Sequence, residues 1–236
     1  MPAFISCGIA RKNIDPGMKF FFYETEHYIA LLHLPKKNIK KIIPKPFDIK
    51  DNVLCKIQVS RYKKVYLPVD GVPFNALTVS LLVKYKDIHA WYPLVSLVSI
   101  PPMNILPLYR YGYENKLGIM NYQPGGTAFR ASVKRDFTLF FEMEFTFLPR
   151  ETAEIQPDKH LALHAPDIYI KDKKIVLVED TYKDKKPEIS IKDGFGAYVF
   201  HSSDHWNAKL FNSMRVEYMF FAEIKGNTYK RAFYLE

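Results

Sequence analysis

The stretch FTLFFEMEFTF, residues 137–147, decides how the rest of the chain is read. In an extended backbone Phe137, Leu139, Phe141, Met143, Phe145 and Phe147 fall on one side, and Thr138, Phe140, Glu142, Glu144 and Thr146 on the other. Period two is the signature of a strand with one face turned to a core. Glu142 and Glu144 then point the same way. They form either a polar pocket wall or a solvated face, and an outward glutamate is the ordinary partner of an inward phenylalanine.

Strand signals continue on both sides of this stretch. VLCKIQVSRY (53–62) and FNALTVSLLVKY (74–85) read as strands, the second apolar enough from Leu77 to Val83 to be buried on both faces. PDIYIKDKKIVLVED (166–180) reads as a hairpin turning near Asp172. RVEYMFFAEI (215–224) and YKRAFYL (229–235) read as two more strands, joined as a hairpin through KGNT (225–228). Helical signals are few. In LPKKNIKKIIP (34–44), Pro35 suits a first turn, Ile39, Ile42 and Ile43 form a stripe, and Pro44 stops it. HWNAKLFNSM (205–214) is a second candidate helix, with Asp204 as its cap. With no βαβ rhythm and no repeats, the expectation is a single β-rich α+β domain over residues 1–236, built as a barrel or curved mixed sheets with a few short helices.

Composition bounds the function. Eighteen Phe and sixteen Tyr in 236 residues suit half-buried strands around a wide core or pocket, and argue against disorder. The formal charge of +9 raises nucleic acid or an anionic membrane as partners. The lysines, however, are dispersed from Lys36 to Lys186, gather on no long helix face and accompany no RNA-binding motif. A solvated surface with a cationic pocket for an anionic metabolite is the better reading, with no nucleic acid and no membrane as partner. Cys7 and Cys55 alone make no metal site, and so sparse a set fits a reducing compartment. No signal-peptide pattern and no run of about 20 apolar residues is evident, so a cytoplasmic protein is expected.

Other constellations are weak. His160 and His164, and His201 and His205, are each four apart, yet neither stretch reads as a strong helix and no third ligand follows. Ser202, Ser203, Asp204 and His205 are too close in sequence to form a triad. PGGTAFRAS (124–132) lacks the lysine–serine ending of a phosphate loop and reads as a tight turn into a strand. On that strand Arg130 would orient a carboxylate if its face lined a cavity. No metal and no cofactor is expected.

Three segments, in order, resemble one known family. KKIIPKPFDI (40–49) has a short helix ending in Pro-x-Pro before an apolar-acid-apolar lead into a strand. VPFNA (72–76) resembles a Phe-Asn strand, and YGYENKLG (111–118) resembles a Tyr-Pro-Lys-Lys-Leu-Gly segment. Together they are similar to the acetoacetate decarboxylase-like superfamily, over residues 20–125 by motif and beyond that by size and strand content. The resemblance implies a cone-shaped β-barrel, a homo-oligomer, and a lysine that forms a Schiff base with a small β-keto acid. Such a lysine must be neutral to attack, although its ordinary pKa is ~10.4. Desolvation, with a neighbouring cation, is the family's established remedy.

The departures matter as much. The family's first lysine, its nucleophile, falls on Asn115, and Lys116 matches the second. The preceding proline falls on Glu114, an arginine on Thr25, a glutamate on Gln58 and an acid near Tyr109. Three roles are open to Lys116. It is the imine-forming amine if the register slips by one residue. It is a cationic wall if Asn115 leaves a carboxylate binder without covalent chemistry. It is otherwise an ion-pair partner of Glu114 or Glu144. The resemblance thus implies Lys116 as the catalytic candidate. Gln58, Phe74, Tyr113, Glu114 and Asn115, with Arg130, are the candidates to bind a keto acid or carboxylate.

Overall fold

The computed structural model describes residues 9–14, 21–66, 70–101, 115–151, 156–182, 185–201, 208–212 and 214–235. In chain order the strands are β1 (Arg11–Ile14), β2 (Phe21–Pro35), β3 (Asn52–Tyr66), β4 (Asp70–Gly71), β5 (Phe74–Tyr85), β6 (Ile88–Val98), β7 (Lys116–Leu117) and β8 (Ile119–Pro124). They continue as β9 (Ala128–Arg135), β10 (Thr138–Glu151), β11 (Asp167–Lys171), β12 (Lys174–Tyr182), β13 (Glu188–Phe200) and β14 (Val216–Leu235). Among the described residues three short helices interrupt them: α1 (Lys36–Ile39), α2 (Pro157–His164) and α3 (Ala208–Asn212).

The strands form one mixed, curved sheet in the order β12-β11-β6-β5-β3-β2-β14-β13-β10-β9-β8. Because β12 also pairs with β14, the pairings β12-β11-β6-β5-β3-β2-β14 return on themselves as a circuit. The remaining strands, β13, β10, β9 and β8, leave β14 as a wing that folds against the outside of the circuit. Alternation on β2 and β3 makes this two-sided packing possible. Tyr28, Ala30, Leu32, Cys55, Ile57 and Val59 point outward into the large core shared with Phe129, Phe141 and Phe145 of the wing. Their neighbours Ile29, Leu31 and Leu54 point inward, where they meet Trp91, Phe220 and Ala162 of α2. A second inner cluster, including Phe22, Phe74, Val98 and Val178, fills another part of the interior. A strand buried on both faces needs apolar residues in both registers, which is why β5 reads as a continuous apolar run.

Four expectations change. The decisive stretch is a strand, but Asp136 and Phe137 form the turn before it, with φ of 49° and 64°. Phe137 is 87% exposed there. A register shift between Leu139 and Phe141 then buries both Phe140 and Phe141. A bulge adds one residue to one strand and resets the alternation. The KGNT hairpin does not exist: β14 runs unbroken through Gly226, with a register shift between Lys225 and Thr228. Before the shift β14 pairs with β13, and after it with β12. Gly226 has φ +147°, and a Cβ there would lie 2.9 Å from Pro187 Cα, so glycine is required where the strand changes partner. Helix α1 ends at Ile39, leaving Ile42 44% exposed. Finally, Pro157–His164 is helical, with Pro at its first turn, where no strong helix was expected. The hairpin at Asp172 is as read: Asp172 and Lys173 both take positive φ, and Lys171 faces Lys174.

Candidate functional site

Inside the circuit lies a cavity of about 140 Å³. That is comparable with the ~150 Å³ cavities that accept a benzene-sized guest. Every strand of the circuit contributes to its wall, including Thr25 and His27 of β2, Lys56 and Gln58 of β3, Phe74 of β5 and Ser96 of β6. Asp167 of β11, Asp180 of β12 and Lys230 of β14 complete the ring. Residues 162–166, at and after the end of α2, close over it, and Asn115 enters beside β6.

Lys56 is the unusual member. It sits between Leu54 and Gln58 on the inward register of β3 and is 7% exposed. Its Nζ donates to the Ala162 carbonyl at 3.2 Å and lies 4.6 Å from the centre of the Trp91 ring. Trp91 is itself fixed by Nε1 donating to the Leu161 carbonyl at 3.0 Å. No carboxylate pairs with Lys56 within 4 Å among the described residues. Burial, with the like charge of Lys230 adding to it against Asp167 and Asp180, pulls its amine down from the ordinary lysine value to about 8.

Lys230 is the opposite case. Its Nζ lies 3.0 Å from Asp180 Oδ1 and 3.7 Å from Asp167 Oδ2. Burial disfavours its charge, but the two carboxylates outweigh burial and hold its pKa above the usual lysine range. His27 is buried in the same wall. Burial first, and the Lys56 charge second, depress its pKa to about 3, so the ring is neutral near pH 7. Its Nδ1 meets Ser60 Oγ at 2.9 Å and Gln58 Nε2 at 3.1 Å. An amide N–H only donates, so Nδ1 accepts from Gln58 and the ring proton sits on Nε2. Tyr62 stacks on Phe74 at 4.4 Å and supplies an aromatic wall. Thr228 Oγ1, buried in the same wall, has no hydrogen-bond partner among the described residues.

Of the residues singled out from sequence, Gln58, Phe74 and Asn115 come together in this cavity. Asn115 is 4% exposed and accepts a short hydrogen bond from Ser96 Oγ. Lys116 does not join them. It begins β7, which pairs with Leu97 and Val98 of β6, and successive residues of an extended chain point to opposite sides. Asn115 therefore turns inward and Lys116 is exposed. Arg130 also lies elsewhere. It faces Glu144 across the β9–β10 pair, with Nε 2.9 Å from Oε1 and the two side chains 67% and 63% exposed. Glu142 pairs with His201 at 2.8 Å on the same open face, so the two glutamates form a solvated surface. Tyr113, Glu114 and Tyr109 lie outside the described residues, as do Cys7 and the 202–205 cluster.

Lys56, His27, Asp167, Asp180 and Lys230 were missed. For Lys56 the signal was present: in VLCKIQVSRY it shares the alternation of Gln58 and Ser60, a charge on the face opposite the apolar Val53, Cys55, Ile57 and Val59. His160 and His164 do face one another on α2, rings 4.5 Å apart, and His164 borders the cavity. A different trio, His33, Asp158 and Glu217, brings one ligand atom from each within 4.8 Å of the others. It is partly exposed and already holds a His33–Glu217 pair at 2.8 Å.

No family model and no curated protein matches the sequence. Solved structures do. An acetoacetate decarboxylase superposes with TM-score 0.69 at 9% identity, over 92% of this chain and 90% of that one. An acetoacetate decarboxylase-like enzyme from Sphingomonas wittichii RW1 gives 0.64 at 15%, over 92% and 94%. The enduracididine biosynthesis enzyme MppR, complexed with pyruvate, gives 0.59 at 13%, over 94% and 89%. At these identities the likeness establishes the fold, which is acetoacetate decarboxylase-like.

Proposed function

We propose that this chain, folded as an acetoacetate decarboxylase is, takes a small β-keto acid into the interior cavity and works on it as the imine of a cavity lysine. The observation that carries this reading is an amine enclosed with a neutral histidine, a carboxamide pair and an aromatic wall, in a space of small-molecule size. The fold supports it, and one protein of that fold is described with pyruvate bound. The reaction class is carboxy-lyase: the imine draws electrons from the bond to the departing carboxylate, as a ketone alone does poorly.

The test is reductive trapping. Incubation of the full chain with acetoacetate, pyruvate and larger keto acids, followed by borohydride, is expected to add the mass of one reduced substrate per chain. No gain in mass with any of them overturns the reading. The second reading is a carboxylate binder without covalent chemistry. It is favoured by Asn115 standing where the resemblance places the nucleophile, and by uncharged Thr25 and Gln58 where it places charges. That reading expects thermal stabilisation by keto acids and plain carboxylates alike, with no trapped adduct.

Two coarser expectations accompany the proposal. No helix of the described residues is long and apolar enough to cross a membrane. A cytoplasmic homo-oligomer remains our working description, and light scattering on the purified chain tests its assembly.

A further inference from the structure

We infer that the imine-forming amine is Lys56, on strand β3, and not a residue of the 115–116 segment. This rests on the keto-acid reading above. It assigns that chemistry to a different wall of the cavity.

Four described lysines compete. Lys116 is exposed and does not border the cavity. Lys159 is buried, but its Nζ is paired with Asp193 and it does not border the cavity either. Lys230 borders the cavity, but two carboxylates hold it as an ammonium, whose nitrogen has no free electron pair to attack with. Lys56 borders the cavity and touches a carbonyl oxygen and an aromatic face. A carbonyl accepts a hydrogen bond from a neutral amine as readily as it accepts one from an ammonium, so this partner does not require the charge. The Trp91 face favours the cation. Burial and the ammonium of Lys230 oppose it and prevail. With the amine at about 8, roughly a tenth is neutral at pH 7, against less than about 0.1% at the ordinary value. The Ala162 and Trp91 contacts also hold the side chain in one place, so Nζ meets a bound carbonyl without first being ordered.

The step balances without a co-reactant. Lys56 Nζ bonds to the ketone carbon, the carbonyl oxygen leaves as water with the two protons the amine gives up, and a solvent proton makes the C=N cationic. The bond from the α-carbon to the carboxylate then breaks, its electron pair forms an enamine, and carbon dioxide leaves. Protonation at carbon and return of the water release the ketone and the free amine.

Peptide mapping of the borohydride-trapped wild-type chain decides the assignment. The expected result is the adduct mass on the β3 peptide, localised to Lys56. An adduct on Lys116, Lys230 or any other lysine overturns the assignment while leaving the proposed function standing, whereas no adduct on any lysine overturns both. Lys56→Arg keeps the charge but cannot form the imine, and is expected to lower trapping at least 100-fold. The trapping rate of wild type is expected to climb about tenfold per pH unit below pH 8 and to level off above it. A rate that is flat from pH 6 to pH 9 also overturns the assignment, and this arm does not depend on the variant folding.

Discussion

Two surfaces of this protein carry charged residues on alternating strand positions, and they behave in opposite ways. On the wing, Arg130, Glu142 and Glu144 stand on an open face, and the Arg130–Glu144 pair is about two-thirds exposed. Inside the circuit, Lys56, Lys230, Asp167 and Asp180 stand on strands of the same period, but with apolar clusters beside them. Water screens the first set and makes it energetically minor. Burial of the second set's two amines lets neighbouring charges shift them, Lys56 downward and Lys230 upward. The same pattern in sequence is a solvated coat in one place and a cavity lining in the other, and only the closure of the sheet distinguishes them.

That contrast can be broken or sharpened by measurement. The largest effect is expected at His27. Its pKa is lowered to about 3 in the fold from 6.5, so the unfolded chain binds its proton first. Stability is then lost as pH falls from 6.5 towards 3, at up to ~1.4 kcal/mol per pH unit from this group. Urea unfolding across that range is expected to show the slope, and His27→Gln to flatten it. Next is Lys230→Met, which leaves Asp167 and Asp180 facing each other without their cation. A loss of roughly 3 kcal/mol is expected in denaturant titration at pH 7. Smaller, and of opposite sign, is Lys56→Met. Holding a depressed amine costs the fold stability at pH 7, so this variant is expected to gain about 1–3 kcal/mol while losing the trapped adduct. A variant that loses both would show that Lys56 is a structural cation. Least of all, Arg130→Ala is expected to change stability by less than about 1 kcal/mol, and less still in 0.5 M salt.

Much of the fold was legible because it is written locally. Period two in β10, the continuous apolar run of β5 and the Asp172–Lys173 turn depend on residues a few positions apart. What escaped depends on distant pairing. Gly226 and Asn227 carry the chemistry of a hairpin turn, yet β2 on one side and β13 then β12 on the other hold the chain straight through them. The site divides in the same way. Gln58, Phe74 and Asn115 were found because three short motifs occur in a recognisable order. Lys116 was preferred over Asn115 because lysine is the residue with the chemistry, although the one-residue alternation sends it outward. Lys56, two positions from Gln58 on the same face of β3, matches no position of that resemblance, and its enclosure depends on Trp91 and α2, both distant in sequence. Lys230, Asp167 and Asp180 are separated by up to 63 residues in sequence and are brought together only where β14 meets β12 and β12 meets β11.

The unbroken course of β14 has a consequence for how this molecule comes apart. One twenty-residue strand is hydrogen-bonded to β1, β2, β12 and β13, and so serves as a common spine for circuit and wing. Neither half keeps its hydrogen-bond partners if the spine frays. Amides on Ile29 and on Phe220 should therefore exchange with deuterium at the rate of a single global opening, and a protease that nicks the chain near Gly226 should dismantle the cavity and its outer cover together.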